Sequence, residues 1–267
     1  MAHPHPVFSR LHAAATAGPI VVAHRGDSRN HPENTLAAFR AATALGVAMQ
    51  EFDVQQNRDG ELFCLHDASL DRTTDAPRVL GPGALLAQTS TGALAQLDAG
   101  AWKGAAHRGE RVPTLAAALL AMPAPCIAMI EHKAGDPAAF VAAVRAAGRV
   151  DSCLLQSFDW AFVAAVRRLA PELATAILGP TTQHAVVDEA VVAAARSLGA
   201  GMVHWNAHEL DHEAVQKAKA GGLLVCSYTT DDELGWCGGA ALGFDAMCTN
   251  VAARMLDAQR RGLLRRR

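Results

Sequence analysis

Glu51 and Asp53 stand two residues apart in the run AMQEFDV (48–54). Side chains alternate along a strand, so both carboxylates point to the same side. Two carboxylates on one face of an apolar strand repel each other and are costly to bury, and a cation removes both difficulties. Ion pairs with Arg or Lys at the rim of a sheet would do the same, and these two acids alone do not separate the alternatives. Glu131 adds a third acid. It closes the run CIAMIE (126–131), with Lys133 two residues on. Neighbouring parallel strands lie about 4.8 Å apart, so Glu51, Asp53 and Glu131 can converge where the strands end. Three carboxylates with no Cys or His among them suit one hard divalent cation, Mg²⁺, Ca²⁺ or Mn²⁺.

Two histidines occupy comparable positions. His24 and Arg25 end an apolar run in AHRGD, and His66 and Asp67 end another in LHDAS. Imidazole gives and takes protons near neutral pH, so a pair at one mouth can serve as acid and base. Arg25 and Lys133 supply fixed positive charge: a guanidinium binds phosphate in a bidentate fashion and an ammonium acts as a point charge. In HPENTLAAF (31–39), Asn34 or Thr35 can cap a helix, and Asn34 can also reach a substrate oxygen or orient a catalytic group. Trp205 and Tyr228 either wall a pocket for part of the substrate or belong to the core.

These residues need elements to carry them. Eight short apolar runs alternate with Ala-rich helical stretches: IVVA (20–23), AMQEFDV, CIAMIE, CLLQS (153–157), ATAIL (174–178), MVHW (202–205), LLVCSY (223–228) and DAMCT (245–249). Helices are expected at about 34–45, 114–121, 137–148, 159–169, 184–198, 210–220, 230–237 and 251–261, a rhythm that indicates parallel strands covered by helices. Eight units favour a closed (β/α)8 TIM barrel, an α/β fold, over an open sheet. Asp59-Gly60 signals a hairpin, so ELFCLH should fold back as an extra strand. Residues 69–112 lack clear periodicity and read as an insertion after the second barrel strand, placed over the active face. The expected organisation is one barrel domain across 1–267.

Composition narrows the function classes. The chain has 267 residues, 51% hydrophobic and 19% charged, with a formal net charge of −2. Such a balance gives no field that would favour nucleic acid or an anionic membrane, and neither is expected as a partner. The six cysteines form no C-x-x-C pair and read as buried thiols of a reducing compartment. The start has no secretory h-region and no run is long enough to span a bilayer, so a cytoplasmic location is expected. His3 and His5 should lie in a frayed N-terminus, and the tail RRGLLRRR should be a solvated helix end.

The stretches AHRGDSRNHPENTLAAF, EFDVQQNRDGELFCLHDASLDRTT, LAQLDAGAW, PTL, EHK, QSF (156–158) and LLVCSYTT together resemble the glycerophosphodiester phosphodiesterase family, most closely its short bacterial cytosolic members. The likeness runs from about residue 20 to 250. It implies a TIM barrel with a small insertion, a divalent ion on Glu51, Asp53 and Glu131, an acid–base pair of His24 and His66, and phosphate contacts from Arg25 and Lys133. The implied reaction is hydrolysis of glycerophosphodiesters to sn-glycerol 3-phosphate and an alcohol. Two departures stand out. His132 replaces the usual Ile of E-I-K and should point into the helix layer by alternation. Asn250 replaces the usual Asp of I-T-D-x-P and should cap the following helix. The competing reading is a phospholipase of the phosphatidylinositol or sphingomyelin type on the same barrel, for which the insert offers only Trp102 beside Lys103 and Arg108.

Overall fold

The computed structural model describes residues 5–265. Its elements run α1 (Pro6–Ala14), β1 (Ile20–His24), α2 (Leu36–Leu45), β2 (Met49–Gln56), β3 (Leu62–Cys64), α3 (Ala76–Val79), α4 (Thr91–Leu94) and α5 (Leu115–Ala121). Then follow β4 (Ile127–Ala134), α6 (Pro137–Ala146), β5 (Cys153–Ser157), α7 (Trp160–Leu169), β6 (Ala174–Gly179), α8 (Glu189–Ser197), β7 (Met202–Asn206), α9 (His212–Ala220), β8 (Leu224–Tyr228), α10 (Glu233–Leu242), β9 (Ala246–Thr249) and α11 (Ala252–Arg260). Strands are joined in the order β1-β9-β8-β7-β6-β5-β4-β2, and pairing of β1 with β2 closes the ring into an eight-stranded parallel barrel. β3 lies antiparallel on the end of β2, with Val54 opposite Cys64, as the Asp59-Gly60 turn requires.

Most of the helices around the barrel start where the sequence supplies a cap. Thr35 accepts from Ala38 N at α2, and Asp136, Asp159, Asp188, Asp211 and Asp232 accept backbone N–H groups at α6 to α10. These caps place the start of α8 at 189, of α9 at 212 and of α10 at 233, later than the apolar pattern alone suggests. Both faces of the barrel wall are buried. The outer face and the helices share one cluster that includes Phe39, Phe52, Phe140, Phe162, Trp205 and Trp236. The inner face forms a second, with Ile20, Val22, Met49, Met129, Leu154, Met202 and Leu224 at the N-terminal ends of the strands.

The described N-terminal residues, from His5 on, are helical rather than frayed. Val7, Phe8 and Leu11 of α1 join the inner cluster and plug the lower mouth of the barrel. His5 begins this helix, its Nδ1 accepting from Val7 N and its Nε2 2.7 Å from the Glu172 carbonyl; His3 lies outside the described residues. At the other end Leu264 is 1% exposed and packs into the outer cluster, which anchors the tail at one point, while Arg260, Arg261, Leu263 and Arg265 stay exposed as expected of a solvated helix end. Residues 65–112 hold α3 and α4, two 3₁₀ turns and a small cluster built on Leu70, Leu86, Leu94 and Leu97, which Phe63 of β3 joins to the barrel. Lys103 Nζ donates to the Ser28 carbonyl at 2.7 Å, which ties this segment to the loop after β1. All six cysteines are free, five of them buried. Among the described residues no helix is long and apolar enough to cross a membrane.

Candidate active site

Strand register brings the acids together. Asp53 on β2 is level with Glu131 on β4, and His24 on β1 is level with Glu51 on β2. Alternation then turns His24, Glu51, Asp53, Glu131 and Lys133 inward near the C-terminal ends of their strands. One oxygen from each of Glu51, Asp53 and Glu131 lies within 4.8 Å of the others. Around them is a cavity of about 270 Å³ lined by His24, Arg25, Glu51, His66, Glu131, Lys133, Phe158, Leu178, His204, Tyr228 and Thr229.

The chain turns sharply after His24. Arg25 has φ 57° and Gly26 φ 79°, and a Cβ on Gly26 would meet the Ala38 backbone at 2.7 Å, so only glycine lets the loop pass α2. This turn aims the Arg25 side chain back over the barrel, where Nε lies 3.1 Å from Asp53 Oδ2 and Nη1 2.7 Å from Glu33 Oε1. Lys133 Nζ reaches Glu131 Oε1 at 2.5 Å and Asp53 Oδ1 at 3.4 Å. Asp53 is therefore held between two cations. It is buried, which opposes ionisation, yet Arg25 and Lys133 keep its carboxyl below the ordinary range.

Glu51 differs. It is 1% exposed and, among the described residues, neither of its oxygens has a hydrogen-bond partner; His24 Nε2 stands 3.7 Å away. Burial first, then Asp53 and Glu131, push its pKa well up. Burial and Asp53 also raise Glu131, to about 7. A fully buried carboxylate with no donor beside two further acids is unfavourable as it stands, and a divalent cation on Glu51, Asp53 and Glu131 resolves it. The donor set thus fits a hard ion.

The two imidazoles are held differently. His24 Nδ1 lies 2.7 Å from Asn250 Oδ1, and burial together with Arg25 lowers its pKa. His66 Nδ1 lies 2.6 Å from Asp67 Oδ1. Arg72 donates to both Asp67 and Glu33, and its bonds keep the Asp67 carboxyl far below the usual range. Glu33, Arg72 and Asp67 so form a chain that links the Arg25 loop to His66.

Some sequence expectations need correction, and for Asn34 and Trp205, each left with two open roles, the contacts agree with one: Asn34 orients an acid of the site and Trp205 belongs to the core. Asn250 does not cap α11, whose N-cap Val251 has no side-chain bond; its amide faces His24 instead. Asn34 neither caps α2 nor lines the cavity. It is 3% exposed, sits at φ 58°, and commits its amide to Asp53, donating from Nδ2 to Oδ2 at 2.9 Å and accepting from Asp53 N at 3.3 Å. Trp205 faces away from the cavity, fully buried under the β6–α8 loop with Nε1 donating to the Ala185 carbonyl. Its neighbour His204 takes the inward position and bonds Gln156 at 2.9 Å, its pKa lowered to about 3 by burial and then by His24. Tyr228 does line the cavity, its hydroxyl donating to the Gly179 carbonyl at 2.7 Å. Phe158, exposed at the rim, presents its ring edge-on to Tyr228. His132 points into the helix layer and stacks on Phe162 at 3.8 Å, as alternation predicts.

Residues 24–254 match the sequence model of the glycerophosphoryl diester phosphodiesterase family, which covers most of the chain and all of the cavity-lining residues. The chain belongs to that family. As a member it is an enzyme, a phosphoric diester hydrolase. A glycerophosphodiester phosphodiesterase of Caldanaerobacter subterraneus subsp. tengcongensis is 46% identical over 96 residues, 36% of this chain and 37% of that protein. One from Bacillus subtilis (strain 168) is 28% identical over 235 residues, 80% of this chain and 77% of that protein. Among solved structures, an Oleispira antarctica phosphodiesterase in complex with the product sn-glycerol-3-phosphate superposes with a TM-score of 0.84 at 28% identity, over 94% of this chain and 99% of that one. The glycerophosphodiester phosphodiesterase of Agrobacterium tumefaciens str. C58 superposes at 0.75 with 26% identity, over 88% and 97%.

Proposed function

We propose that this family member hydrolyses small, soluble glycerophosphodiesters to sn-glycerol 3-phosphate and an alcohol, with a divalent cation held by Glu51, Asp53 and Glu131. The observation that carries this is the unpartnered, buried Glu51 carboxylate next to two further acids, with two imidazoles and two cationic side chains lining the same cavity. The cavity, about 270 Å³, suits a small diester rather than a long chain. The product named in the Oleispira antarctica complex supports glycerol phosphate as the retained half.

When bound, the ion neutralises phosphate charge and polarises phosphorus. The protein groups do the rest. Arg25 and Lys133 stabilise charge that builds on the non-bridging oxygens, from positions already fixed by Asp53, Glu33 and Glu131. One imidazole of His24 and His66 takes the proton of the attacking hydroxyl while the other delivers a proton to the leaving alkoxide. Asn250 and Asp67 engage the two Nδ1 atoms, which leaves both Nε2 atoms for proton transfer. Asn34 keeps Asp53 in place for both cations.

The test is turnover of glycerophosphocholine by purified protein with Mg²⁺, Ca²⁺ or Mn²⁺ and with chelator. Release of choline and sn-glycerol 3-phosphate that stops on chelation is expected. Full turnover in excess chelator overturns the cation assignment, and turnover of phospholipid vesicles in preference to the soluble diester overturns the substrate class.

A further inference from the structure

Behind His24 lies a second layer of polar groups from the far end of the chain. Asp231, just after β8, collects three donors. Its Oδ1 accepts from Thr249 Oγ1 at 2.9 Å and from Asn250 N at 2.8 Å, and its Oδ2 accepts from Asn250 Nδ2 at 2.7 Å. A carboxylate offers only acceptors, so the Asn250 amide can face it with its NH₂ and not with its oxygen. The oxygen is thereby turned to the other side, where Ser28 Oγ donates to it at 3.3 Å and His24 Nδ1 lies 2.7 Å away. An amide oxygen accepts only, so Nδ1 must carry the hydrogen. The lone pair of the neutral ring is left on Nε2, the atom that faces Glu51.

We infer that Asp231 and Asn250 form a positioning relay that fixes the tautomer and orientation of His24. This rests on the reading of His24 as half of the acid–base pair. Neither residue touches the cavity, and each acts only through its neighbour. The arrangement is a chain from carboxylate to amide to imidazole, in which the polarity of every link follows from the first. A His in the wrong tautomer can lose as much as about 10⁴-fold in rate with its geometry intact, as catalytic triads demonstrate.

The chain makes an unusual swap prediction. In Asp231→Asn, the new side chain still accepts from Thr249 and from the backbone N–H of residue 250 through its oxygen, but it presents NH₂ to the Asn250 NH₂. Two donors face each other, so the Asn250 amide inverts and offers NH₂ to His24 Nδ1, and the ring shifts to the Nε2–H tautomer. In Asn250→Asp, two carboxylates face each other and the link breaks. In the exchanged pair D231N/N250D, the amide now at position 231 donates to the carboxylate now at position 250. That carboxylate accepts from His24 Nδ1, so donors and acceptors match again at every link.

The experiment measures kcat and KM on glycerophosphocholine for wild type, D231N, N250D and the exchanged pair. It also measures the ring ¹⁵N shifts of His24, which report the tautomer directly and need no activity. D231N should lose roughly 10²-fold or more in kcat with KM changed little, and its His24 shifts should reverse between Nδ1 and Nε2. The exchanged pair should recover to within about tenfold of wild type and restore the Nδ1–H tautomer, which a merely misfolded variant could not do. An unchanged tautomer in D231N overturns the relay, whatever happens to the rate, and so does an exchanged pair no better than the worse single variant. If His24→Ala keeps full activity while the tautomer reverses in D231N, the acid–base reading fails and the relay stands.

Discussion

The three acids make a prediction in which pH and cation act against each other. In the cation-free protein Glu131 has a pKa of about 7 against an ordinary value of 4.5, because of burial and Asp53. The folded state then holds a proton that the unfolded state has released, throughout the window between those values. Stability therefore falls as pH rises from 4.5 to 7, the reverse of the usual behaviour of a paired carboxylate. A shift of this size corresponds to about 3 kcal/mol lost over the window at ~1.4 kcal/mol per unit. Glu51, raised by burial and by Asp53 and Glu131, acts in the same direction. A bound divalent cation keeps these carboxylates ionised and cancels the loss. Cation binding should thus release about one proton or more near pH 6, and its apparent affinity should rise by roughly 10²-fold from pH 5 to pH 8. Denaturant unfolding at both pH values, with and without Mg²⁺ or Ca²⁺, measures the first effect, and calorimetry in buffers of different ionisation enthalpy counts the protons. Equal cation stabilisation at pH 5 and pH 8, with no proton released, refutes the reasoning that these oxygens share one ion.

Glu51→Gln should abolish cation-dependent activity yet raise the stability of the cation-free protein at pH 8, since it removes a buried charge without a donor; denaturant midpoints and turnover of the same sample check both halves. His24→Ala and His66→Ala should each lower kcat by roughly 10²–10⁴-fold. A loss under tenfold in both, measured at saturating cation, removes them from the reaction. Phe8→Ala should destabilise the protein by about 3–5 kcal/mol in denaturant unfolding, because Phe8 is 1% exposed in the plug of the lower barrel mouth, while KM stays unchanged.

How far the sequence discloses this architecture depends on what each residue had to reveal. Strand positions were legible because each apolar run is short and bounded by helical composition, and all eight lie within a few residues of the runs read from the chain. Closure was only a matter of strand number until the β1–β2 pairing joined the ends. The helix α1 escapes a local reading because its apolar residues, Val7, Phe8 and Leu11, sit among His and Pro and bury themselves only against a barrel floor made by eight distant strands. Local pattern cannot register a partner of that kind.

The site residues divide by a similar logic. A parallel barrel buries both faces of every strand, which erases the polar–apolar alternation that normally tells inside from outside. A polar side chain in an otherwise apolar strand breaks the tie, since it has to face either a polar cavity or a partner. Glu51 and Asp53 on β2, and Glu131 and Lys133 on β4, break it in favour of the cavity. The same rule applied to MVHW selects His204 for the inside and puts Trp205 outside, as the structure has them. Reading the aromatic as a pocket wall gives weight to size where polarity carries the information. Asn250 obeys no such local rule. As a residue at a strand end it satisfies a helix-cap pattern equally well, and only the meeting of β1 with β9 brings its oxygen within 2.7 Å of an imidazole 226 residues earlier. A carboxylate would also accept from that imidazole, but it could not at the same time donate to Asp231. Asn at 250 and Asp at 231 are therefore intelligible only as a pair, and a substitution at either one has to be judged with the other in view.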